Sequence, residues 1–242
     1  MDAGRIRSLL DSVRRRGRVL LSEAESLDVL RLAGVPVAPM ELPPDAEGAA
    51  AAAERAGLPV VLKIVSPDLP HKTEAGGVVV GLRTAEQVRR AALEMQARVR
   101  SRNPEARLEG FSVQAMAEGL ETVAAVTWDP TFGPVLAFGL GGVWIEVLED
   151  ITFRLVPVSA QDVDEMLAEV KGARLLEGFR GNPPVDREAL RETLLRLSDL
   201  TRDFSEEIAE VEINPLLAGP QGVLAVDGLV RLHESRAEEG AR

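Results

Sequence analysis

The stretch Val60–Gly81, VVLKIVSPDLPHKTEAGGVVVG, constrains the fold of this chain more than any other. Val60–Val65 is a short apolar run rich in β-branched side chains and reads as a buried strand. Lys63 interrupts it. This lysine is one of three in a chain whose other basic residues are all arginine, and an ammonium in such a strand needs an anion to offset its desolvation. The strand leaves through Ser66, Pro67 and Asp68 into a loop carrying His71, Lys72 and Thr73, then reaches Gly76-Gly77 and a second apolar run to Leu82. Strand, polar loop, paired glycines and strand predict a hairpin whose loop backbone can approach phosphate oxygens closely. Each piece also has an ordinary reading. A strand-end lysine snorkels to water, a glycine pair marks a turn and a lone histidine sits on the surface. Their coincidence favours an anion site, because His71 is one of only 2 histidines and lies beside Lys72 and the glycine pair.

Elsewhere the chain predicts helices and strands in succession. Ile6, Leu9, Leu10 and Val13 recur at helical spacing within residues 1–18. Ser22 with Glu25, Thr84 with Gln87, and Ser159 with Asp162 have the spacing of capping boxes and open helices. Further helices are expected from about Asp45 to Gly57 and from about Asp186 to Phe204. VPVAPMEL reads as an edge strand, because its prolines cannot donate to a ladder on both sides. Strands are also expected at GFSVQAM, LETVAAVTW, PVLAFGLGG, ITFRLVPV, AEVEINPLLAG and GVLAVDGLV.

Charge and composition remove several function classes. Lys+Arg 28 against Asp+Glu 39 gives a net charge of −11, which argues against nucleic acid or an anionic membrane as partner. The absence of cysteine excludes disulfides and Cys-ligated zinc. VLAFGLGGVWIEVL is too broken by glycines and charge to span a bilayer. No secretory apolar region follows the N-terminal arginines, so a cytoplasmic location is expected.

Three further features carry possible chemistry. Gly139, Gly141 and Gly142 follow a strand and can cradle phosphate, although a P-loop lysine and dinucleotide spacing are both missing. Arg154 sits between Phe153 and Leu155 in a strand. It reads either as an anion clamp for a moving phosphoryl group or as a salt bridge to Glu146 or Asp150. Asn214 and Asp227 lie on successive strands across a turn, where two oxygen ligands can face one Mg²⁺ that also binds phosphates and water.

The segment SPDLPHKTEAGGVVVGL resembles the signature of the nucleotide-binding β subunit, or β-type domain, of the ADP-forming acyl-CoA synthetases (acetate:CoA ligases). These are relatives of succinyl-CoA synthetase. The likeness runs over about Val19 to Leu232, through DPTFGPVLAFGLGGVWIEVLEDITFRLVP, KGARLLEGFRG and EVEINPLL. It implies an α/β (α+β) ATP-grasp fold, two α/β lobes with nucleotide held between them. The implied layout is an N-terminal helical extension over 1–18, a smaller lobe over 19–112, a larger lobe with the metal site over 113–232, and a tail over 233–242.

The resemblance also implies roles for residues. Lys63, Gly76 and Gly77 hold phosphates, and the backbone of Gln114, Ala115 and Met116 forms a hinge that pairs with adenine. Glu121 meets the nucleotide or its metal, and the glycine cluster faces the phosphates. Asn214 and Asp227 hold Mg²⁺, with Glu210 and Glu212 as acidic support. His71 is the phosphoryl acceptor and Arg154 offsets the moving charge. Family members commonly have aspartate at Glu212 and alanine at Gly228, and neither departure removes a ligand. The implied activity transfers a phosphoryl group between ADP/ATP and a phosphohistidine during acyl-CoA + ADP + Pi = acid + ATP + CoA. An α subunit in a heterotetramer supplies the CoA-binding domain and a second histidine loop. The alternatives are an ATP-grasp carboxylate ligase acting through an acyl phosphate, and a non-catalytic nucleotide-sensing module.

Overall fold

The computed structural model describes residues 1–69, 75–142 and 150–234. In chain order the first elements are α1 (Ala3–Arg15), α2 (Glu23–Ala33), α3 (Ala46–Ala56), β1 (Val60–Val65), β2 (Val78–Leu82), α4 (Ala85–Arg102) and β3 (Gly110–Ala115). There follow β4 (Leu120–Asp129), β5 (Gly133–Leu140), β6 (Ile151–Leu155), α5 (Ala160–Glu169), α6 (Ala173–Leu176), α7 (Arg187–Asp203), β7 (Ile208–Gly219), β8 (Gly222–Ala225) and β9 (Gly228–Leu232). They form two units, Ala38–Ala117 and a larger one joining Met1–Val37 to Glu118–Arg242.

The smaller unit is a three-stranded antiparallel sheet of order β2-β1-β3. Val60, Leu62 and Ile64 of β1 and Phe111 and Val113 of β3 pack with the alanines of α3 and with Val88, Ala92, Met95 and Val99 of α4. Alanine spacing suits this core, because small side chains let α3 lie close to both the sheet and α4. Asp45 caps α3 by accepting from the Gly48 N–H, and Thr84 caps α4 through the Gln87 N–H. Gln87 reaches back to the Arg83 N–H at 2.8 Å, one residue before the position a capping box requires.

The larger unit carries a six-stranded antiparallel sheet, with the path β6-β5-β4-β7-β8 and β9 paired to β7. Its helix-covered face buries Thr122, Ala124 and Val126 of β4, Leu136, Phe138 and Leu140 of β5, and Val211, Ile213 and Leu216 of β7. α2 opens with the reciprocal box of Ser22 and Glu25, and α5 with that of Ser159 and Asp162. α1 is part of this core, since Ile6, Leu10 and Val13 are fully buried.

Three expectations change. α2 belongs to the larger unit rather than to a lobe spanning 19–112. It packs against β9 so closely that a Cβ on Gly228 would lie 2.8 Å from Leu30 Cδ1, which accounts for glycine at that position. VPVAPMEL forms no strand but two isolated bridges, Val37 to Ala225 and Glu41 to Val113, because Pro36 and Pro39 lack the donors a ladder requires. GVLAVDGLV is divided into β8 and β9 at Val226-Asp227.

Candidate functional site

Strand alternation sorts the sequence candidates by face. In the smaller unit, Lys63 is directly opposite Ser112, and Val61 is opposite Gln114. Since Leu62, Ile64 and Val113 point into the helical core, Lys63, Ser112 and Gln114 share the other face of the sheet. All three are buried. Among the described residues the Ser112 Oγ has no hydrogen-bond partner. A buried face holding an ammonium, an amide and an unsatisfied hydroxyl has the donors that a phosphate or a base requires.

The paired glycines close the hairpin. The Gly77 carbonyl accepts from the Ile64 N–H at 2.8 Å, and the Gly76 carbonyl accepts from Arg98 at 3.1 Å. Gly76 has φ +69, and a Cβ there would come within 2.8 Å of Arg98 Cδ, so glycine is required for conformation and for space. At the other stem of the loop Asp68 accepts from the Arg107 backbone at 2.8 Å and from its guanidinium at 3.0 and 3.1 Å. Arg107 holds the Asp68 carboxyl below its usual range. Sequence reading missed both arginines, because each acts from a segment remote in the chain. His71 lies outside the described residues.

Gln114 and Ala115 end β3 and Met116 follows it. Ala115 pairs with Val60, and the Met116 N–H donates to the Pro59 carbonyl at 2.9 Å. That N–H is spent within the sheet and is not available to a ligand. The chain passes into the larger unit at Glu118, just after Met116.

In the larger unit Glu121 is the second residue of β4, and the Gly141 N–H donates to its carbonyl at 2.8 Å. A Cβ on Gly142 would come within 2.8 Å of the Glu121 carboxylate, and one on Gly139 would lie 2.6 Å from the Asp150 carbonyl. The glycine cluster therefore gives the Glu121 carboxylate room to lie against the backbone. Glu146 and Glu149 lie outside the described residues.

β7 pairs Ile213 with Gly228 and, three residues on, Leu216 with Ala225. The two registers are continuous, so Asn214 stands opposite Asp227 where the ladder is interrupted. Ile213 points into the core, so its neighbour Glu212 faces the helix-free side; alternation is broken between Ile213 and Leu216, both buried, and it is the contact with Glu212 that puts the Asn214 side chain on that side. The Asn214 side-chain amide donates to Glu212 Oε1 at 3.1 Å, which turns its carbonyl oxygen away from that carboxylate. Asp227 Oδ1 accepts from the Gly228 N–H at 2.8 Å. No group of three or more His, Cys, Asp or Glu side chains suited to a metal occurs among the described residues. A hard amide oxygen and a carboxylate fit Mg²⁺, which commonly takes one or two protein ligands and completes its shell with water and phosphate.

Arg154 requires correction. It is opposite Leu136, on the helix-covered face, like Thr152, whose Oγ1 donates to the Met166 carbonyl of α5. Its guanidinium meets Glu169 at 2.6 Å and Glu165 at 3.5 Å, both on α5. Arg154 thus ties β6 to α5 from the face opposite Asn214, and it is not an anion clamp. Among the described residues its ion pairs are with these two glutamates and not with Asp150; Glu146 lies outside them. Asp150 instead accepts from the Lys171 and Gly172 N–H groups at 2.7 and 2.8 Å, just ahead of α6. The Arg154 guanidinium holds the Glu169 carboxyl below its usual range. The depressed value means that this pair stabilises the fold above the unfolded carboxylate pKa and loses the contribution as pH falls through the folded one. Arg154→Met is expected to lower stability only slightly at neutral pH, as for other solvent-screened ion pairs. Thermal melting should show that loss shrinking in acid, while calorimetric titration shows nucleotide affinity unchanged.

No helix among the described residues is long and apolar enough to cross a membrane. The family model for the ATP-grasp domain matches residues 12–232. The chain is 41% identical over 223 residues to acetate–CoA ligase (ADP-forming) I of Archaeoglobus fulgidus, covering 92% of this chain and 32% of that protein. It is 36% identical over 222 residues to the acetate–CoA ligase (ADP-forming) I subunit beta of Pyrococcus furiosus, covering 91% of this chain and 95% of that one. The chain therefore spans about a third of the first relative and nearly all of the second. Among solved structures, the dinucleotide forming acetyl-coenzyme A synthetase 1 of Ca. Korarchaeum cryptofilum, in complex with coenzyme A and Ca-AMPCP, superposes with a TM-score of 0.89. Identity is 41%, with coverage of 94% of this chain and 99% of that one. A second structure of that enzyme, with coenzyme A and Mg-AMPPCP and a phosphohistidine segment pointing towards the nucleotide binding site, has a TM-score of 0.81 at 39% identity, covering 94% and 100%. The buried donor face around Lys63, the glycine-backed Glu121 and the facing pair Asn214 and Asp227 thus stand on an ATP-grasp scaffold, and the chain belongs to the ATP-grasp family of ADP-forming acetate–CoA ligase β subunits.

Proposed function

We propose that the chain is the nucleotide-binding part of an ADP-forming acyl-CoA synthetase, which passes a phosphoryl group between ADP/ATP and a phosphohistidine. The observation that carries this reading is the continuous register that sets Asn214 opposite Asp227. It is supported by the nucleotide analogues bound to the K. cryptofilum enzyme.

Lys63 neutralises phosphate charge, and the backbone beside Gly76 and Gly77 approaches the phosphate oxygens. Gln114, Ala115 and Met116 border the base, Glu121 faces the nucleotide or its metal, and Asn214 and Asp227 hold Mg²⁺. Mg²⁺ held by these two residues would supply charge neutralisation to the phosphates. His71 receives the phosphoryl group: an imidazole nitrogen attacks the terminal phosphorus of ATP, the P–O bond to ADP breaks, and an N–P bond forms. In the reverse direction a β-phosphate oxygen of ADP attacks the phosphohistidine and the imidazole leaves. Positioning and charge compensation are most of what such a transfer demands.

Acyl-CoA chemistry belongs to an α part, either a separate subunit or the remaining length seen in the A. fulgidus relative, and a heterotetramer is the proposed assembly. Cytoplasm is the proposed location. The test is calorimetric titration of ADP and ATP into the chain with and without Mg²⁺, repeated on Lys63→Met. Losing a hydrogen bond to a charged group costs roughly 1.5–3 kcal/mol, about a ten- to hundredfold weaker Kd. Equal binding by wild type and Lys63→Met contradicts the proposed site. Turnover of acyl-CoA, ADP and phosphate by this chain alone contradicts the need for an α part.

A further inference from the structure

Ser112 occupies the middle of β3 with its neighbours Phe111 and Val113 turned into the core. The residue is 1% exposed, and among the described residues its hydroxyl makes no hydrogen bond. A hydroxyl removed from water and left unpaired lowers stability, and most buried side-chain polar atoms avoid that state. Alanine fits the same backbone without the cost. The residue directly across the sheet is Lys63, itself 7% exposed. An ammonium carries three donors and no acceptor, so Lys63 cannot receive the Ser112 proton. An unpaired hydroxyl facing an ammonium marks a place for an acceptor-rich anion.

We infer that Ser112 is a nucleotide-binding residue whose Oγ–H donates to a phosphate oxygen of ADP or ATP alongside the Lys63 ammonium. The inference rests on the reading that the Lys63 face receives the nucleotide phosphates. Its energetic logic is preorganisation. The free protein already bears the desolvation of the hydroxyl, so the ligand gains a hydrogen bond without stripping water from its donor. Lys63 alone recognises charge. Ser112 adds direction, because a hydroxyl donates along one line whereas an ammonium accommodates many.

The experiment compares wild type, Ser112→Ala, Lys63→Met and the double variant by calorimetric titration of Mg-ADP and Mg-ATP and by thermal melting with and without nucleotide. Ser112→Ala is expected to leave the melting temperature of the free protein unchanged or higher, and to weaken nucleotide binding about five- to tenfold. The nucleotide-induced rise in melting temperature should shrink accordingly. The two single effects should be less than additive in the double variant, since both groups hold the same phosphate. A merely structural serine lowers the melting temperature of the free protein on substitution, and a merely tolerated one leaves the affinity alone. If wild type binds Mg-ADP, Lys63→Met weakens it and Ser112→Ala does not, the inference is overturned while the proposed function stands. Wild type that binds no nucleotide overturns both.

Discussion

Asp227→Ala is expected to abolish the Mg²⁺-dependent part of nucleotide binding while leaving the fold intact. Loss of a group that only supports a metal ligand costs about ten- to hundredfold in metal affinity, and Asp227 is proposed as a ligand itself, so the loss should exceed that range. The fold should survive because Asp227 sits where the ladder between β7 and the β8-β9 edge is interrupted, with pairs continuing on both sides. Its Oδ1 accepts from the adjacent Gly228 N–H, a local contact whose loss leaves the two registers in place. Asn214→Ala should act in the same direction but less strongly, since a neutral amide oxygen binds a hard cation more weakly than a carboxylate. Titration of ADP across a series of Mg²⁺ concentrations distinguishes the cases. A metal ligand gives a variant whose affinity no longer responds to Mg²⁺. A variant that keeps the wild-type Mg²⁺ response with uniformly weaker binding would remove Asp227 from the metal site.

Much of the framework was legible in the sequence because local rules decide it. Capping by Ser22, Asp45, Thr84, Ser159 and Asp186, and the glycine stops after α2 and α3, are set within a few residues of each helix end. That Asn214 and Asp227 face each other across the strands was also legible, since hairpin register follows from turn length. Arg154 shows where such reading stops. Ile151, Phe153 and Leu155 alternate with it, and apolar alternation normally marks the buried face. Here Phe153 and Leu155 are more than half exposed, at 56% and 54%, and the guanidinium points towards α5. Helix coverage from α5, some ten residues downstream, decides which face of β6 is the inside, and no local period of two contains that information. Ser112 was hidden for the opposite reason. In GFSVQAM a serine is an unremarkable strand residue, and only the register that sets it against Lys63 gives its hydroxyl a meaning. The stems of the His71 loop were illegible likewise, because Arg98 and Arg107 reach Gly76 and Asp68 from α4 and from the segment before β3.

His71→Asn separates the proposed reaction from its nearest rival. Asparagine keeps a polar side chain of comparable reach but has no ring nitrogen able to form an N–P bond. If the phosphoryl group passes through His71, turnover of acyl-CoA, ADP and phosphate by the assembled enzyme should fall by at least about 10³-fold, as loss of a nucleophile does elsewhere. Nucleotide affinity should change little, since Lys63, Asn214 and Asp227 remain. Incubation of wild type with Mg-ATP should label the chain at an acid-labile, base-stable linkage, and the variant should stay unlabelled at this position. A carboxylate ligase working through an acyl phosphate needs no such carrier, because the carboxylate oxygen attacks phosphorus directly. That enzyme would retain turnover in His71→Asn and show no labelled chain in wild type. The two mechanisms share Lys63, the facing pair and the ATP-grasp scaffold, so fold and affinity cannot tell them apart. What differs is whether phosphorus leaves the nucleotide for a nitrogen of the protein or for an oxygen of the substrate, and the acid lability of the label reports that bond.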